Sequence, residues 1–176
     1  CGNTATSDLF NACSPPFVVG VPDNGFGSEP AFAGDGYAGI MARFITANYR
    51  EYLQVQLLSP LVAGTWYNVS FYVSLADAGC GSDHMGAYFS QDNPYQAMWT
   101  TLDYDAQIEY NNGYLSDATG WTLVTGCFQA EGGEIYMVIG NFHGDSETTI
   151  DPACGGTTSY YYVDEVSVEE GSAPEE

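Results

Sequence analysis

In S-Y-Y-Y-V-D-E-V-S-V, residues 159–168, a carboxylate stands in a run rich in aromatic and β-branched residues. Strand alternation puts Tyr160, Tyr162, Asp164, Val166 and Val168 on one face, and Tyr161, Val163, Glu165 and Ser167 on the other. An unpaired carboxylate on an apolar face is costly. Either that end of the strand is wet, or a partner offsets the charge. The whole chain carries 23 acids against two cations, Arg43 and Arg50, has no lysine, and has a net charge of −21. Phosphate recognition needs cations, so nucleic-acid binding is excluded as a function class. Lysine–asparagine cross-links are impossible. Solubility is the plain account of the acids. The sharper account is a divalent cation, with Ca²⁺ first because it prefers carboxylate and carbonyl oxygens.

Catalytic patterns are absent. There is no G-x-S-x-G elbow and no H-E-x-x-H helix motif. The two histidines, His84 in S-D-H-M and His143 in N-F-H-G-D, sit at loop edges. They could meet in space, but neither a metal site nor a catalytic triad is expected of them, and no set of nucleophile, base and oxyanion donors can be completed around them. Among 23 acids, some pair falls at glycosidase spacing by chance. The expectation is a protein that is not an enzyme.

Aromatic rings are the other chemical resource, with 14 Tyr, 9 Phe and 3 Trp. Ring faces stack on sugars, while Asp, Asn and Gln read hydroxyls. Tyr95, Trp99, Tyr104 and Tyr110 lie in the polar, aromatic stretch 91–120 and could form such a platform. The alternative is that these rings belong to the core or to a packed loop.

The elements that must position these groups are strands. Residues 65–77, T-W-Y-N-V-S-F-Y-V-S-L-A-D, alternate cleanly, with Tyr67, Val69, Phe71, Val73 and Leu75 on one face. That pattern predicts a sheet with one buried face. Further strands are expected within 35–48, at 50–58, 85–90, 121–128, 134–142 and 159–168, and a short one at F-V-V-G-V, residues 17–21. At 50–58 the apolar residues do not alternate, so a bulge or two-sided burial is expected. Twenty-one glycines punctuate these runs. The fold class expected is all-β, a sandwich or barrel. One domain over 1–168, with an acidic tail or linker at 169–176, suits the length.

Cysteines at 1, 13, 80, 127 and 154 form no C-x-x-C pair, so a zinc site is not expected. Cys80 and Cys154 lie in glycine-rich loops and are paired with each other. Cys1 and Cys13 could close a small loop, Cys127 is expected to be a buried thiol, and Cys13–Cys127 stays open as an alternative. Disulfides fit an extracellular address. No segment is long enough and apolar enough to be a transmembrane helix. The opening C-G-N reads equally as the mature end of a bacterial lipoprotein or as a processed fragment.

Taken in order, A-G-D-G-Y-A-G-I (33–40), R-E-Y-L-Q-V-Q-L (50–57), S-P-L-V-A-G-T-W-Y-N-V-S-F-Y-V-S-L-A-D (59–77), M-G-A-Y-F-S (85–90), I-G-N-F (139–142) and Y-Y-Y-V-D-E-V-S-V (160–168) resemble a known domain type. It is the jelly-roll domain of secreted and outer-membrane-associated Bacteroidota proteins, which carry gliding- or sorting-type or OmpA-like domains. More distantly the chain is similar to the galactose-binding-like sandwich of carbohydrate-binding modules. The resemblance implies an antiparallel jelly roll. It also implies a first strand with an Asn-Pro-Phe-Glu-like run, which this chain lacks. That strand either lies upstream of Cys1 or comes from another molecule. In related modules an acid at the place of Asp164 helps hold a structural Ca²⁺, together with the loop that here is G-D-G-Y. The resemblance therefore implies Asp164 and Asp35 as metal ligands, and calcium as the cofactor.

The leading expectation is an extracellular, bacterial cell-surface structural or adhesive module. It would self-associate by strand complementation into a filament, or join neighbouring domains of a larger chain. The alternative is a carbohydrate-binding module with glycan partners.

Overall fold

A computed structural model of the chain describes residues 6–45, 48–94 and 100–174. Nine strands form two antiparallel sheets, with no helix among the described residues. They are β1 (Asp8–Asn11), β2 (Gly36–Arg43), β3 (Leu53–Gln56), β4 (Trp66–Leu75), β5 (Gly86–Ser90), β6 (Ile108–Glu109), β7 (Thr122–Gln129), β8 (Tyr136–Gly140) and β9 (Ser159–Glu170). One sheet runs β1-β2-β9-β4-β7 and the other β3-β8-β5-β6. The all-β, antiparallel sandwich expected from the sequence is the fold observed. No helix of the described residues is long and apolar enough to cross a membrane.

The main core lies between the sheets. The alternation of β4 delivers Tyr67, Val69, Phe71, Val73 and Leu75 to it, as read from the sequence. Ile40, Val124, Phe128, Tyr161 and Val163 join them from the same sheet, facing Met85, Ala87, Phe89, Met137, Ile139 and Ile108. Burying each such side chain stabilises the fold by about 1.5–3 kcal/mol. Gly126 permits the closest approach of the sheets near β6, because a Cβ there would meet Ile108 Cδ1 at 3.1 Å.

The outer face of the five-stranded sheet differs from expectation, because it is buried too. Residues 12–34 fold back over it as a flap. Phe10, Tyr37, Ala76, Tyr160 and Tyr162 form a second core there, with Phe26, Val19, Val21 and Trp121 packed against it. Ser74, on the face of β4 expected to meet solvent, is fully buried and donates to Glu29 Oε2 at 2.7 Å. Buried tyrosines need partners for their hydroxyls. Tyr162 donates to Asn24 Oδ1 (2.8 Å), Tyr160 to Asp8 Oδ2 (2.7 Å) and Tyr37 to the Glu29 carbonyl (2.9 Å). Gly39 makes room for this layer, since a Cβ there would collide with the Phe10 ring and the Tyr160 hydroxyl.

β9 holds both cores through alternate residues, and its alternation then breaks. Tyr72 pairs with Asp164 but Ser70 pairs with Ser167, and Glu165 sits at φ 46°. This β-bulge inserts an extra residue and turns the rest of the strand over. Val168 thereby packs on the sandwich core beside Val69, whereas Val166 is exposed. The five-residue face read from simple alternation is corrected at this point. The strand also continues to Glu170, and Gly171 N donates to the Trp66 carbonyl, so pairing extends into the segment read as a tail.

Other departures are local. F-V-V-G-V is a turn rather than a strand, with Phe17 at φ 63° and exposed. β1 and β6 lie where loops were expected. At 50–58 burial is two-sided, with Leu53 and Leu57 against the sandwich core and Tyr52 on the opposite face.

Cys80 and Cys154 are joined, as expected. Cys1 lies outside the described residues, so its pairing with the exposed Cys13 does too. Cys13 and Cys127 are not joined to each other. Cys127 is half-buried rather than buried, because it points outward from β7.

Candidate binding cleft

Asp164 answers the question posed by its strand. It stands at the rim of the second core, where the flap returns. Its Oδ2 accepts the backbone N–H of Phe32 (2.9 Å) and of Ala33 (3.1 Å), and its Oδ1 accepts that of Glu165 (2.8 Å). Above this point the Phe32 ring stacks on Tyr72, with centroids 3.7 Å apart. Three amide donors satisfy a carboxylate well. Calcium favours a ring of oxygen acceptors, and the neighbours shown for Asp164 are donors. Asp35 lies in the turn before β2, with its carbonyl accepting from Ala12 N at 2.8 Å.

A cleft opens beside the other sheet. Along β5 the inward residues are Ala87 and Phe89, so Tyr88 must point outward. It lands beside Val138, Phe142, Tyr52 and Leu102, a third apolar cluster. Tyr52 locks the 100–107 segment onto this face. Its hydroxyl accepts from Leu102 N (2.8 Å) and donates to the Asn141 carbonyl (2.8 Å). Gln107 holds the same segment against β5. Its amide oxygen accepts from Phe89 N (2.8 Å) and its nitrogen donates to the Phe89 carbonyl (3.1 Å), so one side chain imitates a strand partner.

These contacts bring Tyr104 over Tyr88, parallel within 2° and with ring centroids 4.4 Å apart. Tyr88 is half-buried, while Tyr104 is 37 % exposed. Burial, then the neighbouring Tyr104 and Glu131, push the Tyr88 hydroxyl above the usual range, which keeps it a neutral donor. The cleft, about 690 Å³, runs from this pair past Ser90, Gln91, Asp92 and Asn93 to Gln129 and Glu131. Gln91 Nε2 donates to the Gly132 carbonyl at 2.8 Å, and both Glu134 oxygens accept amides of the 131–133 turn, fixing that wall. The result is a rigid aromatic step beside a row of amides and carboxylates.

Of the rings singled out from the sequence, Tyr104 lines this cleft. Tyr110 instead packs against the sandwich core. Tyr95 and Trp99 lie outside the described residues. The residue missed was Tyr88. Its signal was present, since M-G-A-Y-F-S alternates and places Tyr88 opposite Ala87 and Phe89.

No family model matches the chain, and no curated protein matches it either. Solved structures do. The CBM22-2 xylan-binding domain of Paenibacillus barcinonensis Xyn10C is similar over 96 % of this chain and 88 % of its own, at 13 % identity and a TM-score of 0.52. The K1 cleaved adhesin domain of Lys-gingipain from Porphyromonas gingivalis W83 is similar over 97 % and 94 %, at 17 % identity and a TM-score of 0.46. The xylanase 10B fragment of Clostridium thermocellum, CBM22-1 with its GH10 module, matches over 97 % of this chain and 26 % of its own, at 10 % identity and a TM-score of 0.48. At 13 % identity the likeness to the CBM22-2 domain is one of fold alone, the antiparallel jelly-roll sandwich.

Proposed function

We propose that this chain is a non-catalytic, extracellular binding module whose Tyr88–Tyr104 cleft takes a glycan. The observation that supports it most is the parallel stack of Tyr88 and Tyr104, whose Tyr104 member is 37 % exposed. A sugar ring needs an immobile apolar face and nearby groups for its hydroxyls. Tyr88, pinned from below, removes the entropy cost of ordering Tyr104, and Gln91, Asp92 and Asn93 supply acceptors and donors within the same cleft. A chain of net charge −21 would repel acidic polysaccharides, so the glycan is neutral. Xylo-oligosaccharides are the first probe, since the CBM22-2 domain is described as xylan-binding. Calorimetric titration with neutral oligosaccharides should give saturable binding. Tyr104→Ala should weaken it about tenfold or more, taking the loss of one stacked ring as roughly 1.5 kcal/mol. Binding that survives Tyr104→Ala and Tyr88→Ala undiminished would move the ligand elsewhere.

A second reading, strand-complemented self-assembly, is favoured by β7. This eight-residue strand ends its sheet, with β4 as its partner among the described residues. Such an edge invites another chain. Calcium at Asp164 and Asp35 is part of the same reading, and there it would share the Asp164 carboxylate with the Phe32, Ala33 and Glu165 amides. Electron microscopy of native material with and without chelator tests both. Filaments that fray on chelation would support assembly and calcium together. Single particles in both conditions would remove the filament.

A further inference from the structure

The chain's two histidines, separated by 59 positions, come together in the fold. β8, β5 and β6 are neighbours, and Gly86 of β5 is in register with both Gly140 of β8 and Glu109 of β6. His84 lies two residues before Gly86, and His143 three residues after Gly140. All three side chains therefore emerge at the same end of the four-stranded sheet. The imidazoles lie 3.9 Å apart, centroid to centroid, and 23° from parallel. Glu109 Oε1 bonds to His143 Nε2 and lies 3.3 Å from His84 Nδ1. One nitrogen from each ring and one Glu109 oxygen fall within 4.8 Å of one another.

We propose that His84, His143 and Glu109 form a binding site for a divalent transition-metal ion of the Zn²⁺ class. Several observations support it. His84 Nδ1 is shielded from solvent and has no hydrogen-bond partner, although an imidazole nitrogen placed there is a ready ligand. Zinc bonds to nitrogen and oxygen are about 2.1 Å long, so two ligands at a tetrahedral ion stand about 3.4 Å apart. The His84 Nδ1–Glu109 Oε1 separation already meets that spacing. Two imidazoles select against Ca²⁺ and Mg²⁺, which take oxygen ligands. Two imidazoles and a carboxylate also leave a position for water or an outside ligand.

The backbone beneath the site is held firmly. Asp83 N donates to the Thr149 carbonyl and Thr149 N to Asp83 Oδ1, on one side of His84. Tyr110 N donates to the Met85 carbonyl on the other. His143 N donates to Oδ1 of the buried Asn141, and the His143 carbonyl accepts from Arg50. Asp83 Oδ1 stands 3.7 Å from His84 Nε2, close enough for a small turn of the ring to bring the two into the hydrogen bond that orients a ligating imidazole. Binding must splay the stacked rings, because a ring nitrogen ligates in its own plane. The side chains of His84 and His143, 24 % and 32 % exposed, have solvent to turn into. The ion would tie β5, β6 and the loop after β8 together at one end of the sheet.

Titration of the full chain with Zn²⁺ and Co²⁺ tests the site. The expected result is one tight ion per chain in the presence of excess Ca²⁺, with the visible Co²⁺ spectrum of a nitrogen-ligated ion of low coordination number. Because the chain has two histidines, both imidazole signals can be followed by NMR, and both should shift together. His143→Gln should weaken binding by more than about 100-fold, beyond the range for loss of an outer partner. Its metal-free unfolding midpoint serves as the check on folding. Glu109→Gln provides a second variant at a different strand. Binding unaltered by both variants, a Co²⁺ spectrum like that of the hydrated ion, or displacement by Ca²⁺ would overturn the proposal in favour of diffuse association with surface carboxylates.

Discussion

Arg50→Met is expected to lower unfolding stability by about 2–4 kcal/mol, the cost of leaving buried acceptors without their donor. Arg50 is 1 % exposed in a chain with two cations. Its guanidinium donates to Asp145 Oδ1 (2.9 Å), to the carbonyls of Tyr49 and His143 (2.9 Å each) and to Thr148 Oγ1 (3.3 Å). Methionine fills the volume but leaves all four acceptors without that donor. Arg50→Lys should recover little, because an ammonium cannot reproduce the planar fork. Arg43 reaches the same carboxylate at 3.7 Å, so both cations of the chain converge on Asp145.

That convergence carries a pH signature. Burial works against the Asp145 carboxylate, but the Asn48 amide and Arg50 outweigh it and hold its pKa below the ordinary 3.8. A depressed folded-state pKa contributes stability that is fully present above the unfolded value and is lost as pH falls through the folded one. Acid unfolding of the wild type should therefore contain a component at and below about pH 4 that Asp145→Asn removes. Urea melts across that range measure it. If Arg50→Met costs no more than Arg43→Ala, the buried knot is not what holds the 143–158 loop.

Loss of the Cys80–Cys154 bond is the second large effect. The two cysteines are 74 positions apart. Closing a loop of that length restrains the unfolded chain by about 4 kcal/mol, and removal of such a bond typically costs about 2–5 kcal/mol. Cys80→Ala/Cys154→Ala, melted beside the oxidised wild type, gives the number. A cost below about 1 kcal/mol would mean that the loop is held without the bond. Arg50 grips the start of the 143–158 loop and the disulfide grips its later part. Combined removal should exceed either loss and approach the whole stability of a domain this size, about 5–15 kcal/mol.

The sheets were legible in the sequence wherever one face met the main core. β4 alternates over ten residues because its inner face packs continuously, and Cys80 and Cys154 could be paired because both stand in glycine-rich corners. Legibility failed where burial was two-sided. Tyr160 and Tyr162 gave no sign of the flap that covers them, since residues 12–34 have neither helix nor strand periods. The bulge at Glu165 is one inserted residue, invisible in composition, yet it turns Val168 onto the sandwich core. β1 and β6, four and two residues long, are too short for any period to emerge. In the cleft, Tyr104 could be picked out by composition. The alternation of M-G-A-Y-F-S put Tyr88 on the outer face, but only the loop that folds over that face brings Tyr104 onto it. His84 and His143 could not be joined on paper, because only the order β8-β5-β6 makes them neighbours.

The two-sided burial of β9 divides the molecule into compartments that share a wall. Tyr161 and Val163 answer to the sandwich, Tyr160 and Tyr162 to the flap. The flap is fastened to that wall by hydrogen bonds of Asn24 and Glu29 to Tyr37 of β2 and Tyr162 of β9, so its release is a matter of breaking a small, local set of contacts rather than the sandwich core. A protease that clips within residues 12–34 would meet a target governed by the flap's free energy, not by that of the whole fold.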